Sequence, residues 1–576
     1  MLSYRKLAMR VLGRPLHTGG IDSPRPASQR AAAFILTAAM LTTLAAPAFA
    51  DIWRIEDGDI TVKAGETKGT NKVSQGTTID KVDTNTIITG TSDTNTVTID
   101  TSKGNVDVTF DDLNIDASSR NEAAMSVTGS GNTTIKLDGD NHLTGGNGRS
   151  GIDSIGNLTI YGGENDSLTA KGGSGADGSG GDGIHSGSLT IYGGTVNANG
   201  GNCGDGNYSD GGSGISSNGS LTISGGTVTA KGGSGEDGYG GRGIISTKSV
   251  TISGGTVEAN GGNGNSGGDG ITSNGGVTIS GGSTVTANGG NGGSLVGGSG
   301  ISNGGSLTVS DGTVTAKGGN GDSKDGYGGD GIRSGGVVTI SGNTVNAKGG
   351  YGGKVGGYGI CSFDRVAISG GTVEAAGGNG STGGGSGIYS SVIDLSGSLE
   401  LTAKAGSPNG KALSQKGSEL VLDTIKDKLG PGAKVTATDA DGKVIDQVPI
   451  PRPVEPEKPV IPEESSSSSD GGSATPSAPA SSLPGLTVTD RDGQRISYTS
   501  TQSGNTLTVC VGRLTASFRI SLAALRQLRA EGIETITFQT ILCSTTLSVD
   551  ELLAMGGEDA EAVLTHRFTD SSLTVG

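Results

Sequence analysis

A block of about 30 residues recurs along most of the chain and limits its possible folds more than any other feature. One unit, from Leu221 to Ser246, reads LTISGGTVTAKGGSGEDGYGGRGIIS. Its LTISGG-like opening returns every 27 to 32 residues. These openings begin at Leu158, Leu189, Leu221, Val250, Val277, Leu307, Val338 and Val366. A fixed period in this range is typical of solenoids, propellers and other repeat architectures.

Each unit predicts three short β-strands. In the quoted unit they are residues 221–223, 227–230 and 243–246, where apolar residues alternate with small polar ones. A Ser-Gly-Gly turn joins the first two strands, and a glycine-rich loop of variable length joins the second to the third. No unit holds enough apolar residues for its own core. The units must therefore stack on one another to bury their Ile, Val, Leu and Ala columns.

Stacking of three-stranded units predicts an all-β fold, a right-handed parallel β-helix whose coils lie about 4.8 Å apart. The threonine column that includes Thr190, Thr222 and Thr251 is expected to face outward. The alternative is a β-propeller, which usually has longer repeats, four strands per blade and more aromatic residues than the 3% found here. Glycine does not fall at every third position, so its abundance does not indicate collagen.

Changes in composition divide the chain into five predicted segments. Residues 1–50 read as a signal peptide and residues 51–76 as an N-terminal cap. Residues 77–448 form the parallel β-helix with its glycine-rich repeats and C-terminal cap. Residues 449–484 are a Pro/Ser-rich linker, and residues 485–576 a small α+β domain.

The predicted leader has the three parts of a secretory signal. A basic start precedes the apolar run of residues 31–46, and Ala48-Phe49-Ala50 is a small-residue cleavage site. The run is short and rich in Ala and Thr, which favours a cleaved signal over a membrane anchor. We therefore expect a protein exported from a bacterium, either secreted or associated with the cell surface, without membrane insertion.

Net charge narrows the choice of partners. The chain carries a formal charge of −16 at pH 7. So acidic a protein repels nucleic acid and anionic lipid, so neither is an expected partner.

The ends of the predicted folded regions carry recognisable local signals. Leu420–Leu422 and Lys434–Ala437 are predicted as final strands or a C-terminal cap of the solenoid. Ser521–Glu531 reads as a helix with Ser521 as its N-cap, and Ser548–Glu551 forms a capping box that opens a second helix.

The four cysteines do not indicate a disulfide scaffold. Cys203 and Cys361 lie about five coils apart, which is too far for a disulfide. Cys510 and Cys543 share the C-terminal domain and can pair.

Acidic residues recur in the glycine-rich loops and at the variable position of the GGxGI motif. The candidate calcium ligands are Asp182, Asp237, Asp269 and Asp330. Calcium takes six to eight oxygen ligands, and residues 232–239 match the start of a calcium-binding nonapeptide repeat. That motif normally recurs every nine residues, whereas here it appears once per coil at most. The alternative is that these aspartates are solvated turn residues.

Tyrosines fall in or beside the same loops. The candidate carbohydrate-binding residues are Tyr239, Tyr327, Tyr351 and Tyr358. A phenol ring beside Gly and Asp or Asn can stack on a sugar while the polar groups bind its hydroxyls. The alternative is that each ring packs over its own loop.

Evidence for catalysis is weak in the sequence. The histidines are isolated, and no nucleophile motif accompanies them. Carboxylate pairs for glycoside hydrolysis need a defined separation, and abundant aspartate meets that condition too easily. The arginines that a lyase would need, Arg149, Arg242, Arg333 and Arg365, do not cluster along the chain.

The run LDGDNHLTGG, followed by LTISGGTVTAKGG and GGDGI units, resembles secreted bacterial carbohydrate-binding β-helix proteins, relatives of pectate-lyase-like solenoids. The resemblance covers residues 77–405 and rests on the style of the repeats. It implies calcium-assisted binding of acidic or plant cell-wall polysaccharide without cleavage.

Three functions remain open. The first is a non-catalytic, adhesin-like protein that binds glycan with help from Ca²⁺. The second is a polysaccharide lyase or hydrolase on the same scaffold. The third is a passive stalk that presents residues 485–576.

Overall fold

The structure is a computed structural model. It describes residues 51–176, 178–204 and 209–450, together with residues 485–575 except 491–493, 497, 504, 512–514, 541–543, 556–559 and 568–569. The predicted signal peptide, most of the predicted linker and Cys543 lie outside the described residues. A parallel β-solenoid of about 14 turns makes up most of the chain.

The solenoid begins with longer and less regular strands. They are β1 (Ile52–Arg54), β2 (Ile60–Ala64), β3 (Asn71–Gln75), β4 (Thr78–Asp83), β5 (Ile87–Ser92), β6 (Val97–Asp100), β7 (Val106–Asp116), β8 (Met125–Thr128), β9 (Asn132–Asp138), β10 (Asp140–Thr144), β11 (Ile152–Ser154), β12 (Asn157–Tyr161) and β13 (Ser167–Lys171). Short 3₁₀ turns lie at Ile55–Asp57 and Ala117–Ser119.

Regular coils of three strands follow. They are β14 (Ile184–Ser186), β15 (Leu189–Ile191), β16 (Thr195–Asn199), β17 (Ile215–Ser217), β18 (Leu221–Ile223), β19 (Thr227–Lys231), β20 (Ile244–Ser246), β21 (Val250–Ile252), β22 (Thr256–Asn260), β23 (Ile271–Ser273), β24 (Val277–Ile279), β25 (Ser283–Asn288), β26 (Ile301–Asn303), β27 (Leu307–Val309), β28 (Gly312–Lys317), β29 (Ile332–Ser334), β30 (Val338–Ile340) and β31 (Thr344–Lys348). This order confirms the predicted three strands per coil.

Equivalent residues of successive coils pair in parallel and in register. Ile184 pairs with Ile215, and Ile215 pairs with Ile244, all three fully buried. Thr190 and Thr222 pair in the same way, but on the half-exposed outer side of their strands. The parallel β-helix is confirmed and the propeller is excluded, because each strand pairs with its counterpart one coil away.

Parallel pairing begins earlier than the predicted boundary at residue 77. Strand β1 pairs with β5 and β2 pairs with β6, so the first coil lies within the segment predicted as a cap. An antiparallel sheet of β2, β3 and β4 is added at this end. The indole of Trp53, in β1, donates a hydrogen bond of 3.0 Å to Asp83 at the end of β4. Because the sequence of these coils is degenerate, the repeat pattern did not reveal their register.

Long strands and a hairpin close the other end. They are β32 (Ile360–Ala376), β33 (Ile388–Lys404), β34 (Leu413–Gln415), β35 (Ser418–Glu419), β36 (Lys434–Thr438) and β37 (Val444–Pro449). Strand β36 continues the parallel stack on β33, and β37 pairs antiparallel with β36. Of the two alternatives predicted for Leu420–Leu422, a final strand or a C-terminal cap, the strand is wrong. A 3₁₀ turn begins at Leu422, and another covers Lys426–Lys428.

The C-terminal region is a separate α+β fold, as predicted. Its elements are β38 (Leu486–Thr489), β39 (Thr499–Ser503), β40 (Thr506–Cys510), β41 (Thr515–Ser521), α1 (Leu522–Ala530), β42 (Thr535–Gln539), β43 (Ser544–Ser548), α2 (Val549–Met555), β44 (Glu561–Arg567) and β45 (Asp570–Val575). They form two four-stranded sheets with the orders β38-β41-β44-β45 and β39-β40-β42-β43. Ser521 caps α1 as predicted, accepting a 3.2 Å hydrogen bond from Ala524. Cys510 carries a free thiol, and its predicted partner Cys543 is not described.

The glycine-rich loops are packed backbone against backbone. Gly298 donates to the carbonyl of Gly290 and accepts from the amide of Gly319, both at 2.8 Å. The same relay joins glycines of every coil from Gly173 to Gly406. A Cβ on Gly298 would lie 1.9 Å from the carbonyl oxygen of Gly268. Glycine is required here because the backbones are in direct contact. The stacked loops form a dense wall beside the sheets, which we refer to as the glycine wall.

Candidate functional site

Three of the predicted calcium ligands bind the protein's own backbone. Asp182, Asp269 and Asp330 occupy equivalent positions in their coils. Each uses Oδ1 to accept a hydrogen bond from the backbone amide one coil further on, at 2.6, 2.6 and 2.7 Å. The donors are Ser213, Ser299 and Tyr358. These carboxylates therefore hold successive coils together.

The second oxygen of each carboxylate faces a side chain three residues further along. Asp182 Oδ2 lies 3.5 Å from His185 Nδ1. Asp269 Oδ2 accepts a 3.0 Å hydrogen bond from Thr272. Asp330 Oδ2 lies 3.2 Å from Arg333 Nη1. Both oxygens of each aspartate thus have a partner within the protein.

Burial governs the acidity of two of these groups. It raises the pKa of Asp269 above its usual value, although the Ser299 amide and Arg242 act to lower it. Burial likewise raises the pKa of Asp330, against the lowering effects of the Tyr358 amide and Arg333. Neither carboxylate gains enough from its partners to offset the loss of water.

The four predicted calcium ligands are not brought together. Asp182 and Asp269 are three coils apart, and Asp269 and Asp330 two, so about 14 and 10 Å separate them along the stack. Asp237 is exposed in a loop of its own. Within the described ranges, no group of three or more His, Cys, Asp and Glu side chains could hold a metal ion. Calcium binding stays a prediction, and three of the four candidate carboxylates already bind groups of the protein.

Two of the four predicted sugar-binding tyrosines lie at loop tips. The exposed fractions are 59% for Tyr239 and 43% for Tyr327. Single parallel bridges join Tyr239 to Ser266, and Tyr327 to Val296 and Val355. The Nζ of Lys354 lies 5.5 Å from the centre of the Tyr327 ring. These rings stand on the outer rim of the glycine wall, available for contact.

Tyr351 lies on the side of the glycine wall. Its amide donates a 3.0 Å hydrogen bond to Asn320 Oδ1, and 47% of the residue is exposed. Asparagines occupy the equivalent position in neighbouring coils, and Asn320 bonds in the same way to Asn291. The backbone of Tyr351 therefore continues an asparagine ladder while its ring projects outward.

Tyr358 lies elsewhere. It is half-buried and stacks on Tyr389 with ring centres 4.9 Å apart and planes 18° apart. Burial raises the pKa of its phenol. This ring packs against Tyr389 of the next coil.

A groove runs along the corner where four coils pass from the strand before the glycine-rich loop into the glycine wall. Its volume is about 580 Å³. Tyr351, Asn320 and Asn379 line it on the wall side, and Lys317, Lys348, Glu374 and Lys404 on the strand side. Ala440, in the turn between β36 and β37, also lines it. We refer to this feature as the corner groove.

Sequence reasoning missed the lysines of the corner groove. Each follows a buried Ala at the end of a strand, in the runs TVTAK, TVNAK and ELTAK, and looks like an ordinary solvated strand end. The register signal was nevertheless available, because Lys317 pairs with Lys348, Lys348 with Ala376, and Ala376 with Lys404. Aligning the repeats would have placed these residues in one column.

Two of the residues considered for catalysis, His185 and Arg333, have partners within the solenoid. His185 contacts Asp182 through Nδ1 and the Asn218 amide nitrogen through Nε2, the latter at 2.9 Å. Its pKa is raised by the hydrogen bond to Asp182. Arg333 pairs with Asp330 and lies 5.1 Å from the ring of Phe363. The contacts with Asp182 and Asp330 lie within one coil, and those with Asn218 and Phe363 join neighbouring coils.

Comparison with protein-family models, with curated proteins and with solved structures finds no match to this chain. In the portion that the structure describes, no helix is both long and apolar enough to span a membrane.

Proposed function

We propose that this is an exported, non-catalytic protein that binds polysaccharide in the corner groove. The observation that carries the proposal is the groove itself, where an exposed phenol ring stands beside amide and ammonium groups contributed by successive coils. A sugar polymer has apolar ring faces and many hydroxyls, so it needs both kinds of surface. The predicted signal peptide supports export.

The regular coils suit an extended ligand. Groups repeat about every 4.8 Å along the stack, so a linear polymer can meet equivalent donors on successive coils. Tyr351 is the stacking ring of the groove. Tyr239 and Tyr327 stand on the rim, where they can meet chains or branches that extend beyond it.

Substitution of Tyr351 tests the proposal. We expect Tyr351→Ala to weaken binding to the best ligand of a glycan array by about 1–2 kcal/mol, a usual cost for an exposed aromatic anchor. Tyr192→Ala is the matched control. It removes a ring stacked on Tyr161, 4.7 Å away, that does not line the corner groove. Equal binding by wild type and the Tyr351 variant would refute the assignment.

A passive stalk is the second candidate, favoured by the glycine relay that ties every coil from Gly173 to Gly406 to the next. A stalk requires stiffness and no glycan site. An array on which the full chain binds nothing, with and without Ca²⁺, would favour this function.

The enzyme alternative has a direct assay. Prolonged incubation with the bound polysaccharide should release neither new reducing ends nor unsaturated sugars. Release of either would replace the binding proposal with a lyase or hydrolase.

A further inference from the structure

The lysines of the corner groove have no acidic partner in the described part of the chain. Lys317, Lys348 and Lys404 make none of the ion pairs found there. Near the same end of the solenoid, by contrast, Lys426 lies 2.7 Å from Asp423, and Lys428 lies 3.3 Å from Asp394. The groove thus concentrates ammonium groups that the fold has not neutralised.

Register spaces these charges along the groove. Lys317 and Lys348 lie on adjacent coils, so their backbones are about 4.8 Å apart. Ala376 takes the next place in the column, and Lys404 follows it. The small side chain of Ala376 opens a gap between two lysines two coils apart. The groove therefore offers separated cations beside a polar wall.

The negative charge of the whole protein does not cancel this local field. At physiological ionic strength, charges more than about 8 Å apart are largely screened. A ligand inside the corner groove meets the three lysines and one acidic lining residue, Glu374, whose Oε2 accepts a 3.2 Å hydrogen bond from Asn346. The side chains that line the groove carry more positive than negative charge, although the net charge of the chain is −16.

We infer that the corner groove binds an anionic polysaccharide, with acidic groups on most of its sugars, through direct contacts from Lys317, Lys348 and Lys404. No bridging metal ion takes part. This inference rests on the proposed function and adds the class of ligand. Carboxylate and sulfate groups both satisfy the lysines, which act as point charges and impose no planar geometry.

Matched polymers separate charge from sugar chemistry. Binding of the full chain to carboxymethylcellulose is compared with binding to neutral hydroxyethylcellulose, and binding to dextran sulfate with binding to dextran. We expect the charged member of each pair to bind more tightly, and its affinity to fall as NaCl rises from low to high concentration. A chelator should change neither affinity.

Lysine variants locate the site. Each single Lys→Ala change at the three positions should weaken binding to the charged polymer roughly two- to fivefold, and the triple variant at least tenfold. Lys231→Ala is the control, because Lys231 is exposed in the same column but lies outside the groove. Lys348→Arg should retain binding, which separates loss of charge from loss of structure. Glu374→Gln should strengthen it.

The possible outcomes separate a failure of this inference from a failure of the proposed function on which it rests. Tyr351-dependent binding that is equal for charged and neutral polymers, or unaffected by the triple variant, overturns the lysine assignment and leaves polysaccharide binding intact. Binding abolished by a chelator overturns the metal-free contact. Equally tight binding to single-stranded DNA overturns recognition of polysaccharide, and binding to no polymer overturns the proposed function as well.

Discussion

The solenoid and the C-terminal domain bury their apolar residues in different ways. Between residues 152 and 405, the buried apolar residues of the solenoid are Ile, Val, Leu and Ala, with Cys361 the one addition among those described. Each meets its own counterpart one coil away. In the C-terminal domain, Phe518 and Phe538 lie 5.4 Å apart, although they belong to different sheets. The core of the solenoid is built from contacts between equivalent residues of adjacent coils. The core of the C-terminal domain is built from contacts between segments that are distant in the sequence.

The difference shows where glycine stabilises a fold. In the solenoid, the narrow aliphatic core is supplemented by the glycine wall, where backbone bonds backbone with no side chain between. Among the described residues of the C-terminal domain, glycine occurs at Gly485 and at Gly532, just past the end of α1, where φ is 79° and 91°. A methyl group added to a glycine should therefore have very different consequences in the two settings.

The largest expected effect follows from placing that methyl group in the wall. Gly298→Ala should destabilise the surrounding coils by about 3 kcal/mol, since its Cβ would overlap the Gly268 carbonyl and the packed backbones cannot both move aside. Hydrogen exchange, followed segment by segment, should rise in the solenoid and stay unchanged in residues 486–575.

The control lies in the same loop. A Cβ on Gly293 would have its nearest neighbour at 3.6 Å, an ordinary contact, so Gly293→Ala should leave exchange nearly unchanged. Equal effects of the two substitutions would show that the wall is not close-packed, and faster exchange in both regions would show that their stabilities are coupled.

A smaller effect is expected at the aspartates that join the coils. Asp269→Ala removes the acceptor for the Ser299 amide and should cost about 1–3 kcal/mol. Asp269→Asn keeps an oxygen acceptor and removes a desolvated charge, so its thermal midpoint should match or exceed that of the wild type at pH 7. Isothermal titration calorimetry with calcium provides a second test. If Asp269 is a calcium ligand, the Asn variant loses calcium binding without losing stability.

The smallest expected effect is a pH dependence of stability that has opposite signs at two histidines. The hydrogen bond to Asp182 raises the pKa of His185, so its stabilising contribution is complete below the unfolded value of about 6.5 and disappears as pH rises through the folded pKa. Burial lowers the pKa of His566, which lies between Thr540 and Thr545. Its contribution is present above about 6.5 and disappears as the pH falls through the folded pKa. Acidification should therefore favour the coil around His185 and weaken the sheet around His566.

Hydrogen exchange measured at pH 5.5 and 7.5, and corrected for intrinsic rates, reports the pH response of both regions in one experiment. His185→Gln and His566→Gln should each remove the pH response of their own region alone. A shared sign of the response in the two regions would contradict the assigned environments.

Sequence reasoning succeeded where one coil predicts the next. The columns of Ile184 and Thr190 have the predicted orientation, and Ser521 caps its helix because that interaction is local. The first coils were misplaced because their sequence is degenerate. Of the candidate site residues, the structure groups Tyr351 with an unforeseen set of lysines, places Tyr358 in a stacked pair, and engages Asp182, Asp269 and Asp330 in bonds between coils. None of these pairings follows from a residue's place in its own repeat.

The sequence by itself determined the period, the three strands of each coil and the identity of the core columns, because residues one period apart must stack when no unit can fold alone. Only the tertiary structure decided how the glycine loops pack, which groups the aspartates bind and which side chains share the corner groove. The physical reason is that stacking places each residue beside its counterpart in the next coil, and the repeat period specifies that counterpart. The path of each loop decides which residues of different columns come into contact within one coil, and the period does not specify that path.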